Sequence, residues 1–213
     1  MRWVLTRELE DAKPLADELK LDVVPCIERH DLPWPAWPKS PLVFVTSAHV
    51  AKRLRWLTVV PGTRIAALLP VTATVLARPD ISAEGGAVAL AHAAVKWAAG
   101  KPPVEVLYPT SDQGLDQPEQ LEAVKILEGI GRVHRHVVYE TRAPLNLAES
   151  LARHRGDGFV FFSPSAVRHF IAAGGVAAKV LCVGESTAKA WPGPPPPLLA
   201  TTETVKKVIK ENV

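Results

Sequence analysis

Short apolar runs alternate along the chain with stretches whose apolar residues recur at helical spacing. The runs at 2–6, 21–27, 42–46, 64–68, 104–108, 132–139, 159–162, 179–183 and 198–200 predict strands, with a further short one at Ile81. Over 8–20, Leu9, Ala12, Leu15, Ala16 and Leu19 share one helical face and predict a helix. Similar patterns predict helices over 48–57, 84–99, 117–128, 147–155, 165–172 and 203–212, and short helical turns opening at Thr72 and Thr187. Strands alternating with helices predict a parallel sheet covered by helices on both faces.

The pattern also repeats. Phe44-Val45-Thr46-Ser47-Ala48-His49-Val50-Ala51 is echoed by Val160-Phe161-Phe162-Ser163-Pro164-Ser165-Ala166-Val167. Ile65 to Leu76 is echoed by Val180 to Trp191, with Thr72-Ala73 falling on Thr187-Ala188. Each unit is a strand, then a hydroxyl-bearing loop, then a helix. Residues 1–30 share their layout with 104–140, so the units run a, b, a′, b′. Between a and b lie Pro33, Pro35, Pro38 and Pro41, a density that no helix or sheet interior tolerates. The break favours a discontinuous first domain, 1–31 plus 143–213, and a second domain, 41–139. Residues 32–40 and 140–142 are then two hinge strands. In open α/β sheets ligands sit beyond the carboxyl ends of strands. Four hydroxyl-bearing loops, two per half, predict one ligand gripped between two similar domains.

Composition narrows the function. A chain of 213 residues suits two small domains. A net charge of +3, with no stripe of Lys or Arg, argues against a nucleic-acid partner and fits a small anionic ligand. No apolar run spans a membrane. Charges at Arg7, Glu8, Glu10 and Asp11 interrupt any leader, which predicts a cytoplasmic protein. Cys26 and Cys182 sit in apolar runs and read as buried core residues. His134 and His136 share one strand face without an evident third ligand. No Gly-rich phosphate loop, Ser-His-Asp order or Cys-x-x-Cys motif occurs, so neither cofactor nor metal is expected.

One ordered set of short motifs resembles the uroporphyrinogen-III synthase family. It comprises Thr6-Arg7, Thr46-Ser47, Val71-Thr72-Ala73, Tyr139-Glu140-Thr141, Ser163-Pro164-Ser165-Ala166-Val167, Gly184-Glu185-Ser186-Thr187-Ala188 and Thr202-Glu203. Three places depart from the family pattern. Leu69 stands at an expected glycine, Tyr108-Pro109-Thr110-Ser111-Asp112 lacks the usual glycine and basic residue, and Pro192 to Pro197 replaces a short turn. Together with the element pattern, the resemblance implies two flavodoxin-like domains with a cleft between them. It also implies a cofactor-free, monomeric lyase that cyclises the linear tetrapyrrole hydroxymethylbilane to uroporphyrinogen III. Tyr139 is then the expected catalytic group, a phenol placed to assist departure of water. Arg7, Thr46, Ser47, Thr72, Ser163, Ser165, Ser186 and Thr187 are the expected substrate-binding residues, with helix starts offering N–H groups to carboxylates. Ser and Thr before helices are also ordinary N-caps. The competing readings are a non-catalytic tetrapyrrole-binding relative, an exported sugar or amino-acid binding protein, and a flavodoxin-like electron carrier.

Overall fold

The structure is a computed structural model. It describes residues 2–36, 38, 41–55, 61–69, 72, 76, 79–196, 198–199 and 201–211. The chain divides into two compact units, residues 1–29 with 141–213, and residues 30–140.

The first unit is built on a five-stranded sheet: β1 (Trp3–Leu5), β2 (Asp22–Val23), β9 (Gly158–Phe161), β10 (Lys179–Val183) and β11 (Leu198–Leu199). Its order is β11-β10-β9-β1-β2, and every pairing is parallel. Counted along the unit, this is the doubly wound order 2-1-3-4-5. Among the described residues five helices accompany it: α1 (Leu9–Leu19), α5 (Leu147–Ala152), α6 (Pro164–Ala172), α7 (Glu185–Lys189) and α8 (Thr202–Glu211).

The second unit contains β4 (Leu42–Val45), β5 (Arg64–Leu68), β6 (Ile81–Ala83), β7 (Val104–Ser111) and β8 (Gly131–Arg142). Its described helices include α2 (Ala48–Leu54), α3 (Ala87–Ala98) and α4 (Pro118–Glu128). The sheet order is β3-β8-β7-β4-β5-β6, with β3 (Glu28–Asp31) on one edge. Counted from β7, the five main strands again run 2-1-3-4-5. The second sheet thus carries the strand order of the first with the chain entering at a different strand.

The central strands β1, β4 and β9 are buried and apolar on both faces. Leu42 and Phe44 enter one core of the second unit while Val43 and Val45 enter the other. In the first unit Val4 points to one core, and Trp3 and Leu5 to the opposite one. The period of two sends alternate side chains to opposite faces, and a strand buried on both sides must be apolar throughout.

Three strand expectations change. The run at 21–27 is a strand only over Asp22–Val23. Pro25 has no N–H for the ladder, and Val24 and Cys26 donate singly to the carbonyls of Leu5 and Thr6. The strand that follows is Glu28–Asp31, and among the described residues of 32–40 no strand occurs. There Pro33 and Pro35 remove two donors, while the Leu32 N–H still reaches the Val138 carbonyl at 2.9 Å. The predicted strand at 132–139 is longer, Gly131–Arg142, and contains 140–142.

Gly131 pairs with Val104 where two backbones approach closely. A Cβ on Gly131 would lie 1.8 Å from the Val104 carbonyl oxygen. Backbone atoms in a ladder cannot step aside as a side-chain tip can. Gly131→Ala is therefore expected to destabilise the second unit by about 1–3 kcal/mol, as overpacking commonly does. A lowered urea midpoint would register it; an unchanged midpoint would mean the strands part at no cost.

Candidate active site

The second unit gathers the expected catalytic group and its neighbours at the carboxyl end of β4. Tyr139, near the end of β8, is 8% exposed, and its hydroxyl lies 3.1 Å from the Ser47 hydroxyl. Ser47 occupies the N-cap position of α2, yet its side chain caps nothing. Its hydroxyl is turned to the phenol instead. Thr46 lies 3.4 Å from the Tyr108 hydroxyl. Burial pushes the Tyr108 phenol up to about 12. Tyr108 also meets Phe44 edge to face, with ring centroids 4.9 Å apart, so it belongs to the core. Thr72 is 5% exposed, and its carbonyl accepts the Leu76 N–H at 3.3 Å. Val71 and Ala73 lie outside the described residues.

Two participants escaped the sequence reading. The His49 ring lies tilted at 60° to the Tyr139 ring, 4.7 Å between centroids. Its Nε2 lies 2.7 Å from Asp31 Oδ1. His49 stands two residues after Ser47 in the first turn of α2, and that position was its only sequence signal. Asp31 comes from β3, and no periodicity links it to α2. Arg53 fixes this carboxylate. Its Nε lies 3.3 Å from Asp31 Oδ2, and its other nitrogens donate to the carbonyls of Leu32 (2.8 Å) and Val138. Its guanidinium also covers the Trp34 ring at 5.3 Å.

The first unit presents a second group at the carboxyl ends of β1 and β9. Thr6, Arg7, Ile27, Arg29, Phe162 and Ser163, with Ala166, line a small cavity of about 60 Å³. The two arginines differ sharply. Arg29 is paired with Glu8 and with Asp11, the latter at 3.0 Å. Arg7 stacks over Phe162, 4.8 Å from the ring centroid, and ion-pairs with no carboxylate among the described residues. Burial lowers the Arg7 pKa; Asp11 opposes that shift and Arg29 adds to it. A half-buried guanidinium without a carboxylate is receptive to an anionic group.

Ser163 is a working N-cap, accepting the Ala166 N–H at 3.3 Å, and it lies 3.2 Å from the Ser165 hydroxyl. Ser165 is buried, at 7% exposure, and Thr187 more so, at 2%. Ser186 is exposed beside it. The loops after β9 and β10 share the carboxyl edge of one parallel sheet, because those strands are neighbours. Gly184 opens the second of these loops at φ 85°, a left-handed conformation that favours glycine. Leu69, at the corresponding place in the other half, avoids that region, and its N–H donates to the Ala83 carbonyl at 2.9 Å. The repeat therefore differs in backbone path here, and leucine is accommodated without strain.

His134 pairs with Glu105 on the neighbouring strand. Among the described residues no group of three His, Cys, Asp or Glu side chains could hold a metal ion. None of the described helices is long and apolar enough to cross a membrane.

A sequence profile of the family described as uroporphyrinogen-III synthase HemD matches residues 23–205. No curated protein matches the chain. Among solved structures, the uroporphyrinogen-III synthetase of Helicobacter pylori 26695 aligns with a TM-score of 0.72 at 18% identity, covering 100% of each chain. A mutant uroporphyrinogen III synthase of the extremely thermophilic bacterium Thermus thermophilus aligns with a TM-score of 0.56, also at 18% identity and over 100% of each chain. At that identity the two structures speak to the fold, and the profile match speaks to the family.

The thiols carry no reactivity in this arrangement. Burial pushes Cys26 up to about 12 and Cys182 up to about 11. Both thiols are held neutral in the fold but ionise near 9 when unfolded. Their stabilisation is complete below pH 9 and is lost as pH rises toward 12. An aromatic disulfide reagent at pH 8 is expected to spare both cysteines until urea is added, and the urea midpoint is expected to fall steadily above pH 9. Rapid labelling of the native chain at pH 8 would contradict the burial of these groups.

Proposed function

The chain belongs to the uroporphyrinogen-III synthase family, and from that premise we propose how its own residues carry the reaction. The enzyme is a cyclising carbon–oxygen lyase of tetrapyrrole biosynthesis. Hydroxymethylbilane loses water, its last pyrrole ring is inverted, and the macrocycle closes to uroporphyrinogen III.

Loss of the substrate hydroxyl leaves a cation stabilised by the pyrrole nitrogen, so the bond breaks with modest help. The larger task is to hold a flexible chain so that the correct carbon attacks, which is catalysis by positioning. The Ser47–Tyr139 hydrogen bond is the observation that carries the assignment. When Ser47 donates to the phenol oxygen, the phenol hydrogen is free to turn toward the substrate. Tyr139 then gives that proton to the departing hydroxyl as the carbon–oxygen bond breaks, and water leaves. Ser47 stabilises the phenolate that remains.

Binding rests on the eight carboxylates of the substrate. Arg7 supplies a charged fork in the first unit beside Ser163, with Ser165, Ser186 and the N–H groups around Thr187 on the loops that follow neighbouring strands of the same sheet. In the second unit the Thr46 hydroxyl and the backbone N–H groups of Ser47 and Thr72 supply neutral donors, the Ser47 hydroxyl being committed to Tyr139. Buried Thr72 and Thr187 act mainly by holding their loops. The chain crosses between units at Arg29/His30 and Glu140/Thr141; we take these crossings as the hinge, with both units contributing donors to one substrate.

The deciding experiment is isomer analysis of product from freshly generated hydroxymethylbilane. Type III is expected as the main product, against the type I isomer that forms without enzyme; unchanged type I alone would refute the reading.

Tyr139→Phe removes one hydroxyl and little volume. The rate of cyclisation is expected to fall about 10- to 1,000-fold, the scale of a positioned proton donor, with KM changed less. Wild-type turnover with type III product would take the phenol out of the mechanism.

Arg7→Gln is expected to raise KM about tenfold with kcat nearly unchanged, as the loss of one charged hydrogen-bonding partner implies. An unaltered KM would place the carboxylates elsewhere.

A further inference from the structure

We propose that Asp31 and His49 form a proton-accepting dyad that completes ring closure, with His49 as a further catalytic residue and Asp31 as its positioning residue. This rests on the cyclase reading above.

The geometry starts at the 2.7 Å contact between His49 Nε2 and Asp31 Oδ1. A carboxylate only accepts hydrogen bonds, so Nε2 carries the hydrogen and Nδ1 of the neutral ring keeps its lone pair. Nδ1 has no hydrogen-bond partner among the described residues. The carboxylate is itself held by Arg53, which is anchored to two backbone carbonyls and to Trp34. The imidazole is thus fixed in tautomer and direction.

The same ring packs 4.7 Å from the Tyr139 ring, whose hydroxyl meets Ser47. Two groups able to move protons therefore share one cluster at the end of one sheet. The ionisable groups facing the imidazole are Asp31 from β3 and Tyr139 from β8, with Arg53 of α2 behind the carboxylate. The Asp31 side chain is 52% exposed, and the pair is a weak contributor to stability for that reason. Its orientation toward the phenol needs another explanation than holding the fold.

The reaction supplies one, because two protons must be handled. The first leaves Tyr139 with the hydroxyl, forming water. The second is released when the ring carbon that has formed the closing carbon–carbon bond sheds its hydrogen and the pyrrole regains aromaticity. His49 Nδ1 accepts that proton, and the C–H bonding pair returns to the ring. Asp31 stabilises the resulting imidazolium, which then returns the proton to the Tyr139 phenolate. One water is lost, no oxidant or reductant is required, and the enzyme ends as it began.

The test compares His49→Gln and His49→Ala with the wild type in the isomer assay, after matched circular dichroism and urea midpoints. Glutamine keeps an amide donor for Asp31 but cannot accept and return a proton. Both variants are expected to lose about 10- to 1,000-fold in kcat, with KM changed less than about threefold. Added imidazole is expected to restore a substantial part of kcat in His49→Ala and none in His49→Gln, whose side chain fills the space. Wild-type kcat in His49→Gln would overturn the dyad, as would failure of imidazole to rescue His49→Ala. If the wild type itself formed no type III isomer, the cyclase reading would fall first, and the dyad with it.

Discussion

Burial of both faces of the central strands of the two sheets governs where chemistry can sit in this molecule. A strand apolar on each side, such as Leu42–Val45, has no room along its length for a polar side chain. On such strands polar side chains are confined to the ends, where loops begin and where helix starts leave N–H groups unpaired. Parallel pairing then places the carboxyl ends of neighbouring strands on one edge. Thr6, Arg7 and Ser163 meet at such an edge in the first unit, and Thr46 and Ser47 in the second, where Tyr139 reaches Ser47 from the margin of the core.

Electrostatics then separates residues of one type. Arg7 and Arg29 stand close to strand ends, and Arg53 in the last turn of α2. Arg29 is balanced by Glu8 and Asp11, and Arg53 by Asp31 and two carbonyls. Only Arg7, of these three, faces an aromatic ring in place of a carboxylate. A guanidinium stacked on a phenyl face keeps its in-plane donors available, which suits recognition of an incoming anion.

The internal repeat shows how one local pattern serves two ends. Ser47 and Ser163 occupy equivalent positions before a helix. Ser163 caps the helix through Ala166, whereas Ser47 leaves its helix uncapped and bonds to Tyr139. The difference lies in what β8 brings beside β4's loop, which no local propensity encodes.

Periodicity alone determined most of the secondary structure, because the period of two and the helical stripe are local consequences of where the core lies. The order of units and the proline cluster pointed to a discontinuous first domain, since equivalent layouts can be recognised without knowing their contacts. Strand limits near Pro25 and Pro33 were less legible, because a chain lacking N–H groups still follows an extended path beside a sheet. Tyr139, Ser47 and Arg7 could be singled out because each lies in a short motif at a strand end. Asp31 and His49 could not be joined that way. Their contact is made between an edge strand and a helix start, and the side chains meet only because β3 pairs with β8 while α2 follows β4. Pairing between elements is a property of the folded chain, and with it come the tautomer of a histidine and the freedom of an arginine.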